Sequence, residues 1–453
     1  KVYSDSMPTS NADNGLALSD MRGLSYDDPQ WDAFLDQIDW DADKADIIQN
    51  FSGDAYTTAA IDSLGLPATV AQDGANGLKV NGVTEDKSGY DMSKSSSFGF
   101  APLMAATWNK DLMYEVGQAF GVESLANGIS GWYAPAINLH RSMFSGRVFE
   151  YMSEDPVLSG NIAAKMISGA GDQGMFCYVK HFALNETETG RAKLSSYWAD
   201  EQTMRELYMK AFEIAIKDAK MTIKYYDADG NMTSKTMRAA TAVMAAQNGV
   251  GVVAGECNYS LLTSVLRQEW GFEGMVISDY WVWNGDNLRD YALRAGCDTY
   301  LCMNVPTMWT ISDYTSATAR TAMRKAIKNL CYAVANSNAM QGMAPGAKVE
   351  VSMSPWKKVL IGLDILVVLL VLLNIWKVVH RYKVAAEHPE LFKEDTKKKN
   401  VSFYLKDSSN GAISKVGEES YKIDKTAPEV ENIAIDFVKG YQSAKKSGPF
   451  KYF

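Results

Sequence analysis

Between about residues 27 and 340, short apolar runs alternate with longer stretches whose apolar positions recur at helical spacing. The longer stretches predict helices over Leu103–Gly121, Glu201–Lys220, Leu261–Trp270, Asn287–Gly296 and Ala317–Val334, the last with Arg320, Arg324 and Lys325 on its polar side. The short runs predict strands over Thr241–Gln247, Met275–Trp281 and Asp298–Met303, and Cys177–Phe182 has the same look. Alternating strand and helix means a parallel sheet with crossover helices. At this length the leading fold is α/β, a closed (β/α)8 TIM-like barrel over residues 27–340. An open doubly wound sheet is the alternative. No GxGxxG or GxxxxGK[ST] loop is present, which weakens its nucleotide-binding form.

Three features interrupt or follow this pattern. Met221–Tyr226, then Asp227-Ala-Asp229-Gly230-Asn231, then Met232–Met237 predicts an inserted β-hairpin. Asp-x-Asp-Gly resembles part of a calcium loop, but the downstream bidentate acid is missing, so a plain turn is expected. The hairpin falls between a helix and the next strand, which in a barrel is the face away from catalysis. Residues 1–26 and 341–356 are polar and read as linkers. Val359–Trp376 is about one bilayer's worth of apolar residues, interrupted by Asp364 and Asn374. Trp356-Lys357-Lys358 before it and Trp376-Lys377 after it resemble interfacial anchors, so a single transmembrane helix is expected over 357–380. Lys377, Arg381, Lys383, Lys393 and Lys397–Lys399 outnumber Lys348, Lys357 and Lys358. That places the C-terminal side in the cytoplasm and the barrel outside a cell membrane crossed once. Residues 381–453 form a polar tail with short β-like runs such as Val401–Leu405. Ser420–Pro428 in that tail looks like a border between extracellular β-sandwich modules, in conflict with a cytoplasmic location.

Composition narrows the function. Nearly half the residues are apolar, enough for a large core, and the formal net charge of −9 argues against nucleic acid as a partner. The five cysteines, Cys177, Cys257, Cys297, Cys302 and Cys331, are scattered without a CxxC pair and read as reduced core residues. The histidines, His140, His181, His380 and His388, have no metal-ligand spacing, so no metal and no cofactor is expected. The chain starts at Lys1 without an apolar targeting stretch and reads as a mature product or a fragment.

Two strand-like runs end abruptly in ionisable residues. One ends in Lys180-His181, with Asn185 and Glu186 following; the other, Gly274–Ser278, ends in Asp279. In a βα barrel, chemistry collects where strands give way to loops. A cation and an imidazole at one strand end, with a lone carboxylate at another, suit a sugar site with a carboxylate nucleophile.

Six segments, in order, resemble the barrel domain of glycoside hydrolase family 3, the β-glucosidase and β-xylosidase family. They are Val70–Gly77 around Asp73-Gly74, Trp132–Arg141, Ser145–Pro156 around Arg147, Lys180–Glu186, Glu269–Gly274, and Ser278-Asp279-Tyr280. The helix after the barrel resembles permuted bacterial members in which a membrane anchor follows the barrel. The resemblance implies a retaining exo-β-glycosidase, β-glucosidase-like, acting on carbohydrate. Asp279 would be the nucleophile. Asp73, Arg147, Lys180 and His181 would hold sugar hydroxyls. Glu150 and Glu186 would support them, with one of Glu150, Glu154 and Asp155 orienting Arg147 and the others capping the helix near Pro156. Gln247 stands where the family usually has a tyrosine before the asparagine, close to the reacting sugar. The acid/base would lie on an α/β sandwich domain upstream, which no segment here resembles. The alternative is a non-catalytic, membrane-anchored glycan-binding barrel.

Overall fold

The computed structural model describes residues 5–53, 56–78, 95–191, 195–227, 229–280, 288–302, 310–340, 353, 355–388, 399–406 and 413–421, with side chains up to residue 388. The chain divides into two units, Lys1–Val351 and Ser352–Phe453.

In the first unit, six strands lie side by side in the order β1 (Thr57–Thr58), β2 (Thr69–Asp73), β3 (Gly131–Tyr133), β4 (Phe176–Phe182), β5 (Ala242–Ala245) and β6 (Met275–Ile277). β2 to β6 are mutually parallel and β1 runs antiparallel to β2. The reversal follows from the connection. Residues 59–68 hold a short 3-10 turn, and a parallel crossover needs about a dozen residues or more. Beyond β6, Ile277 bridges in parallel to Thr299, and the Tyr300 N–H donates to the Asn50 carbonyl at 3.3 Å. The sheet therefore curls back toward the segment before β1, giving a TIM-barrel-like, mixed α/β fold. Among the described residues the sheet has these six strands rather than eight parallel ones. The strand expected over 298–303 is reduced to isolated bridge residues, Thr299, which pairs with Ile277, and Cys302; Met303 lies outside the described residues.

Side chains alternate across the sheet with period two. Trp132, Cys177, Val179, Val243 and Val276 pack with Phe120, Ile162, Met166 and Phe212 of the surrounding helices. Their neighbours Tyr133, Phe176, Tyr178, Met244, Met275 and Ile277 pack with Trp31 and Phe34 near the N-terminus and with Leu330 and Val334. The helices Lys110–Ala126 and Pro156–Asp172 approach closely. A Cβ on Gly117 would sit 2.1 Å from the Met166 carbonyl oxygen.

Local chemistry corrects several predicted boundaries. The helix expected over 103–121 is two helices, Ala101–Ala105 and Lys110–Ala126, because the Asn109 side chain accepts from the N–H groups of Asp111 (3.2 Å) and Leu112 (3.0 Å) and starts the second. The helical stretch from Glu201 stops at Asp218, and Lys220 already belongs to the hairpin Lys220–Tyr226/Met232–Arg238. The hairpin tip is an Asx turn: Asp227 Oδ1 accepts from the N–H groups of Asp229 (3.0 Å) and Asn231 (2.8 Å). The polar segment read as a linker through residue 26 folds onto this unit. Leu18 and Met21 are buried. Arg22 donates to the carbonyls of Lys224 (2.9 Å), Ala335 (2.7 Å) and Ser337 (2.9 Å). Few apolar residues suffice there because a single guanidinium satisfies three carbonyls. All five cysteines are free thiols.

In the second unit, Pro355–Glu387 is a 33-residue helix with mean hydropathy 2.7 in its most apolar window, long and apolar enough to cross a bilayer. The Asn374 amide donates to the Leu370 carbonyl at 2.9 Å, which satisfies one donor inside the helix itself. Lys399–Lys406 and Ile413–Tyr421 form an antiparallel hairpin that includes the β-like run Val401–Leu405. Most of the 341–356 linker, Lys397 and Lys398, and residues 422–453 with most of Ser420–Pro428 lie outside the described residues.

Candidate active site

Four of the parallel strands deliver side chains to one end of the sheet, their C-terminal end. Asp73 is the last residue of β2, Lys180 and His181 close β4, Gln247 lies two residues past β5 and Asp279 two past β6. The loop after β3 carries Arg147 and Glu150, ahead of the helix Pro156–Asp172. Asp155 caps that helix by accepting from the N–H groups of Val157 (2.8 Å) and Leu158 (3.3 Å).

The Lys180 ammonium donates to Asp73 Oδ1 at 2.9 Å and lies 3.9 Å from Glu150 Oε2. Burial alone would raise the Asp73 carboxyl. Lys180, by charge and hydrogen bond, together with the Gly74 N–H and the Arg147 charge, outweighs burial and holds it below its ordinary value. About a third of the Asp73 side chain stays open, so the carboxylate is both anchored and accessible. Glu150 orients Arg147 by accepting from Nε at 2.6 Å. Arg147 Nη1 faces Glu188 Oε2 at 3.2 Å without hydrogen-bond alignment, a charge contact only.

His181 is fully buried. Burial first, then the charges of Arg147, Lys180 and Arg191, hold its imidazole well below the ordinary histidine range. The ring is therefore neutral, and its partners assign the tautomer. Arg147 Nη2 sits 3.0 Å from Nε2, and a guanidinium can only donate, so Nε2 accepts. Nδ1 carries the proton and faces the Tyr151 hydroxyl at 3.4 Å; that hydroxyl in turn donates to the Asn185 carbonyl at 2.7 Å. Nε2 also lies 3.7 Å from Asp279 Oδ2. With the ring neutral this is a contact, not an ion pair. Asn138 fixes the backbone beneath the ring: its Oδ1 accepts from the His181 N–H at 2.7 Å and its Nδ2 donates to the His181 carbonyl at 3.0 Å.

Asp279 is 5% exposed. Its Oδ1 accepts from the Tyr280 N–H at 2.7 Å and its Oδ2 accepts from Arg191 Nη1. Arg191 Nη2 also meets Glu188 Oε1 at 3.1 Å, so Glu188 stands between two guanidiniums. Sequence reasoning missed Arg191. It lies in a loop away from any strand end, and its only signal is the run Glu186-Thr-Glu188-Thr-Gly190-Arg191, in which an arginine follows two acids.

The structure thus brings Asp73, Arg147, Glu150, Lys180, His181 and Asp279 into one connected cluster. Glu186 joins it through Asn138. Gln247 is 1% exposed, its Nε2 has no hydrogen-bond partner among the described residues, and no hydrogen bond ties it to the cluster. Among the described residues, no group of histidine, cysteine or acidic side chains is arranged to hold a metal ion. Chemically, the cluster offers a carboxylate fixed at both oxygens, three cations and a neutral imidazole.

Residues 57–337 match the model of the glycosyl hydrolase family 3 N-terminal domain. A β-glucosidase of Rhizobium radiobacter is 36% identical over 256 residues, covering 56% of this chain and 27% of that protein. β-Glucosidase A of Butyrivibrio fibrisolvens is 40% identical over 190 residues, covering 41% of this chain and 20% of that protein. The structure of β-glucosidase 3B from Thermotoga neapolitana in complex with α-D-glucose superimposes with a TM-score of 0.56 at 30% identity, over 69% of this chain and 43% of that one. The chain spans less than a third of the length of either curated relative.

Proposed function

The chain belongs to glycosyl hydrolase family 3, and from that premise we propose that it is the barrel part of a retaining, exo-acting, β-glucosidase-like enzyme whose nucleophile is Asp279. The observation that carries the reading is the convergence of Asp279 with Asp73, Arg147, Lys180 and His181 at the ends of parallel strands. Asp73, partly open and held as the anion, accepts hydrogen bonds from vicinal hydroxyls of a terminal sugar. Lys180, Arg147 and His181 contact the remaining hydroxyls, and their mutual bonds hold them in place before the sugar arrives. Asp279 attacks the anomeric carbon: a carbon–oxygen bond forms to the carboxylate and the glycosidic bond breaks. Water then releases the sugar from the glycosyl-enzyme. Gln247 lines the same strand ends and contributes to the choice of sugar.

The acid/base is supplied by an α/β sandwich domain upstream of this barrel, which protonates the leaving oxygen. The helix Pro355–Glu387 crosses a cell membrane once. The lysines and arginines beyond its apolar core, from Lys377 to Lys399, keep that side in the cytoplasm and leave the barrel outside. No cofactor takes part.

The test is turnover of aryl β-glucosides whose leaving groups differ in acidity. Substrates with strongly acidic phenols need little protonation and are cleaved by this chain alone. Alkyl glucosides are cleaved only when the acid/base domain is supplied. Equal inactivity on the whole series, with xyloside and galactoside counterparts included, contradicts the reading.

A further inference from the structure

Glu186 is buried among groups that do little for a charge. Its Oε1 accepts from Asn138 Nδ2 and from the Leu139 N–H, both at 3.4 Å, and the Arg141 guanidinium acts on it only from farther off. These bonds are long for a carboxylate, whose charge-assisted contacts are shorter. Burial pushes its carboxyl up to about 7, against the weaker pull of those donors.

Asn138 couples Glu186 to the sugar-facing cluster. The same side-chain amide that touches Glu186 grips both the N–H and the carbonyl of His181. His181 accepts from Arg147 and lies beside Asp279, while its neighbour Lys180 holds Asp73. With Glu186 neutral, the Asn138 amide satisfies its partners without an unpaired charge at its back. With Glu186 ionised, a buried anion with no ion pair of its own among the described residues draws that amide toward itself.

We propose that Glu186 is a positioning residue whose ionisation, transmitted through Asn138, loosens the Lys180–His181 corner and closes the alkaline side of the activity profile. The proposal rests on the reading of Asp279 as nucleophile. The event is the loss of one proton from Glu186 to solvent. The ionisable groups that face Glu186 are Arg141, Tyr151 and Tyr197. Burial raises both tyrosines, so they stay neutral through this range. His140, two residues from Asn138 on the same loop, is the necessary control; its Nε2 is engaged by the Tyr151 carbonyl at 2.7 Å.

The experiment follows the pH dependence of glycosyl-enzyme formation from 2-deoxy-2-fluoro-β-glucosyl fluoride, on the full chain. Wild type, Glu186→Gln, His140→Gln, Asn138→Ala and the Asn138→Ala/Glu186→Gln double variant are compared. The alkaline limb moves up by about one pH unit or more in Glu186→Gln, stays in place in His140→Gln, and shows no further shift when Glu186→Gln is added to Asn138→Ala. An unmoved limb in Glu186→Gln overturns the proposal, as does an equal shift in the Asn138→Ala background. Two wild-type measurements need neither a variant nor catalysis. The infrared band of a protonated carboxyl should persist above about pH 6, and the His181 backbone N–H resonance should shift as that band disappears. Complete carboxyl ionisation below that pH, or a stationary His181 resonance, overturns the proposal even if the variant fails to fold. Absence of labelling at every pH, with those two signals present, overturns the Asp279 reading and leaves the Glu186–His181 coupling standing.

Discussion

Arg147 Nη2 lies 3.0 Å from His181 Nε2, which makes the imidazole an acceptor and so a neutral ring among three cations. A histidine beside a carboxylate is commonly taken as its protonated partner. Here the positive charge next to Asp279 comes from Arg191 instead. The imidazole accepts from Arg147 and, in the proposed function, presents an uncharged surface to the sugar.

The nitrogen chemical shifts of His181 test this directly. They should show Nδ1 protonated and Nε2 bare, unchanged from pH 8 down to pH 5. Because the folded value lies below the ordinary one, the unfolded chain takes up this proton first as pH falls. His181 therefore contributes stability that is present above about pH 6.5 and lost as pH drops below it. A doubly protonated ring at pH 6 contradicts the assignment.

Arg191→Ala removes the only cation on Asp279 Oδ2 among the described residues, and also one of the two on Glu188. The rate of glycosyl-enzyme formation should fall by about a hundredfold or more, with Arg191→Lys recovering part of it. An unchanged rate would mean that the Arg191 contact is incidental to the chemistry.

Glu186→Gln should change stability in a pH-dependent way. Burial raises the folded value from 4.5 to about 7, so the wild-type side chain favours folding when protonated and loses that advantage as pH rises. The variant should gain on wild type by about 2 kcal/mol between pH 5 and pH 8 in denaturant unfolding. A constant difference across that range contradicts the buried, unpaired carboxyl.

Gly274 precedes β6 at φ +142°, and a Cβ there would lie 2.0 Å from the Thr241 carbonyl oxygen. That oxygen accepts the Met275 N–H at 3.0 Å and starts the β5–β6 pairing that delivers Asp279. Gly274→Ala should cost about 3 kcal/mol or more and lower the thermal midpoint accordingly.

These residues also show how much the sequence discloses. Lys180, His181 and Asp279 are legible because an apolar run with strand character ends on them; β4 closes at Phe182, just past Lys180 and His181, whereas β6 stops at Ile277, short of the expected Met275–Trp281 and two residues before Asp279. The sequence leaves open which of Glu150, Glu154 and Asp155 orients Arg147 and which cap the helix near Pro156; the structure gives Glu150 to Arg147 and the cap to Asp155. Arg191 is not legible, since a loop residue has no periodicity, and only folding brings it to a carboxylate 88 positions away. The N-terminal segment is misread for a related reason. Leu18 and Met21 are too few to signal a core, and the Arg22 bonds to carbonyls 202 to 315 positions distant leave no trace in the local pattern. The break at Asn109 is visible in hindsight as a capping residue inside an otherwise continuous helical pattern.

The anchoring proposal is checked by fractionation. The chain should stay with bilayers after alkaline carbonate extraction, and a version ending at Gly346 should be released as a folded soluble barrel. Release of the full chain by carbonate contradicts a membrane span.

The most direct test of the central claim is the intact mass of the protein after incubation with 2,4-dinitrophenyl 2-deoxy-2-fluoro-β-glucoside, for wild type and Asp279→Asn. Wild type should gain one fluorosugar, mapped to the peptide carrying Asp279, and the variant none. No adduct on folded wild type, with xyloside and galactoside analogues also tried, or an adduct that persists in Asp279→Asn, contradicts the assignment of Asp279 as nucleophile.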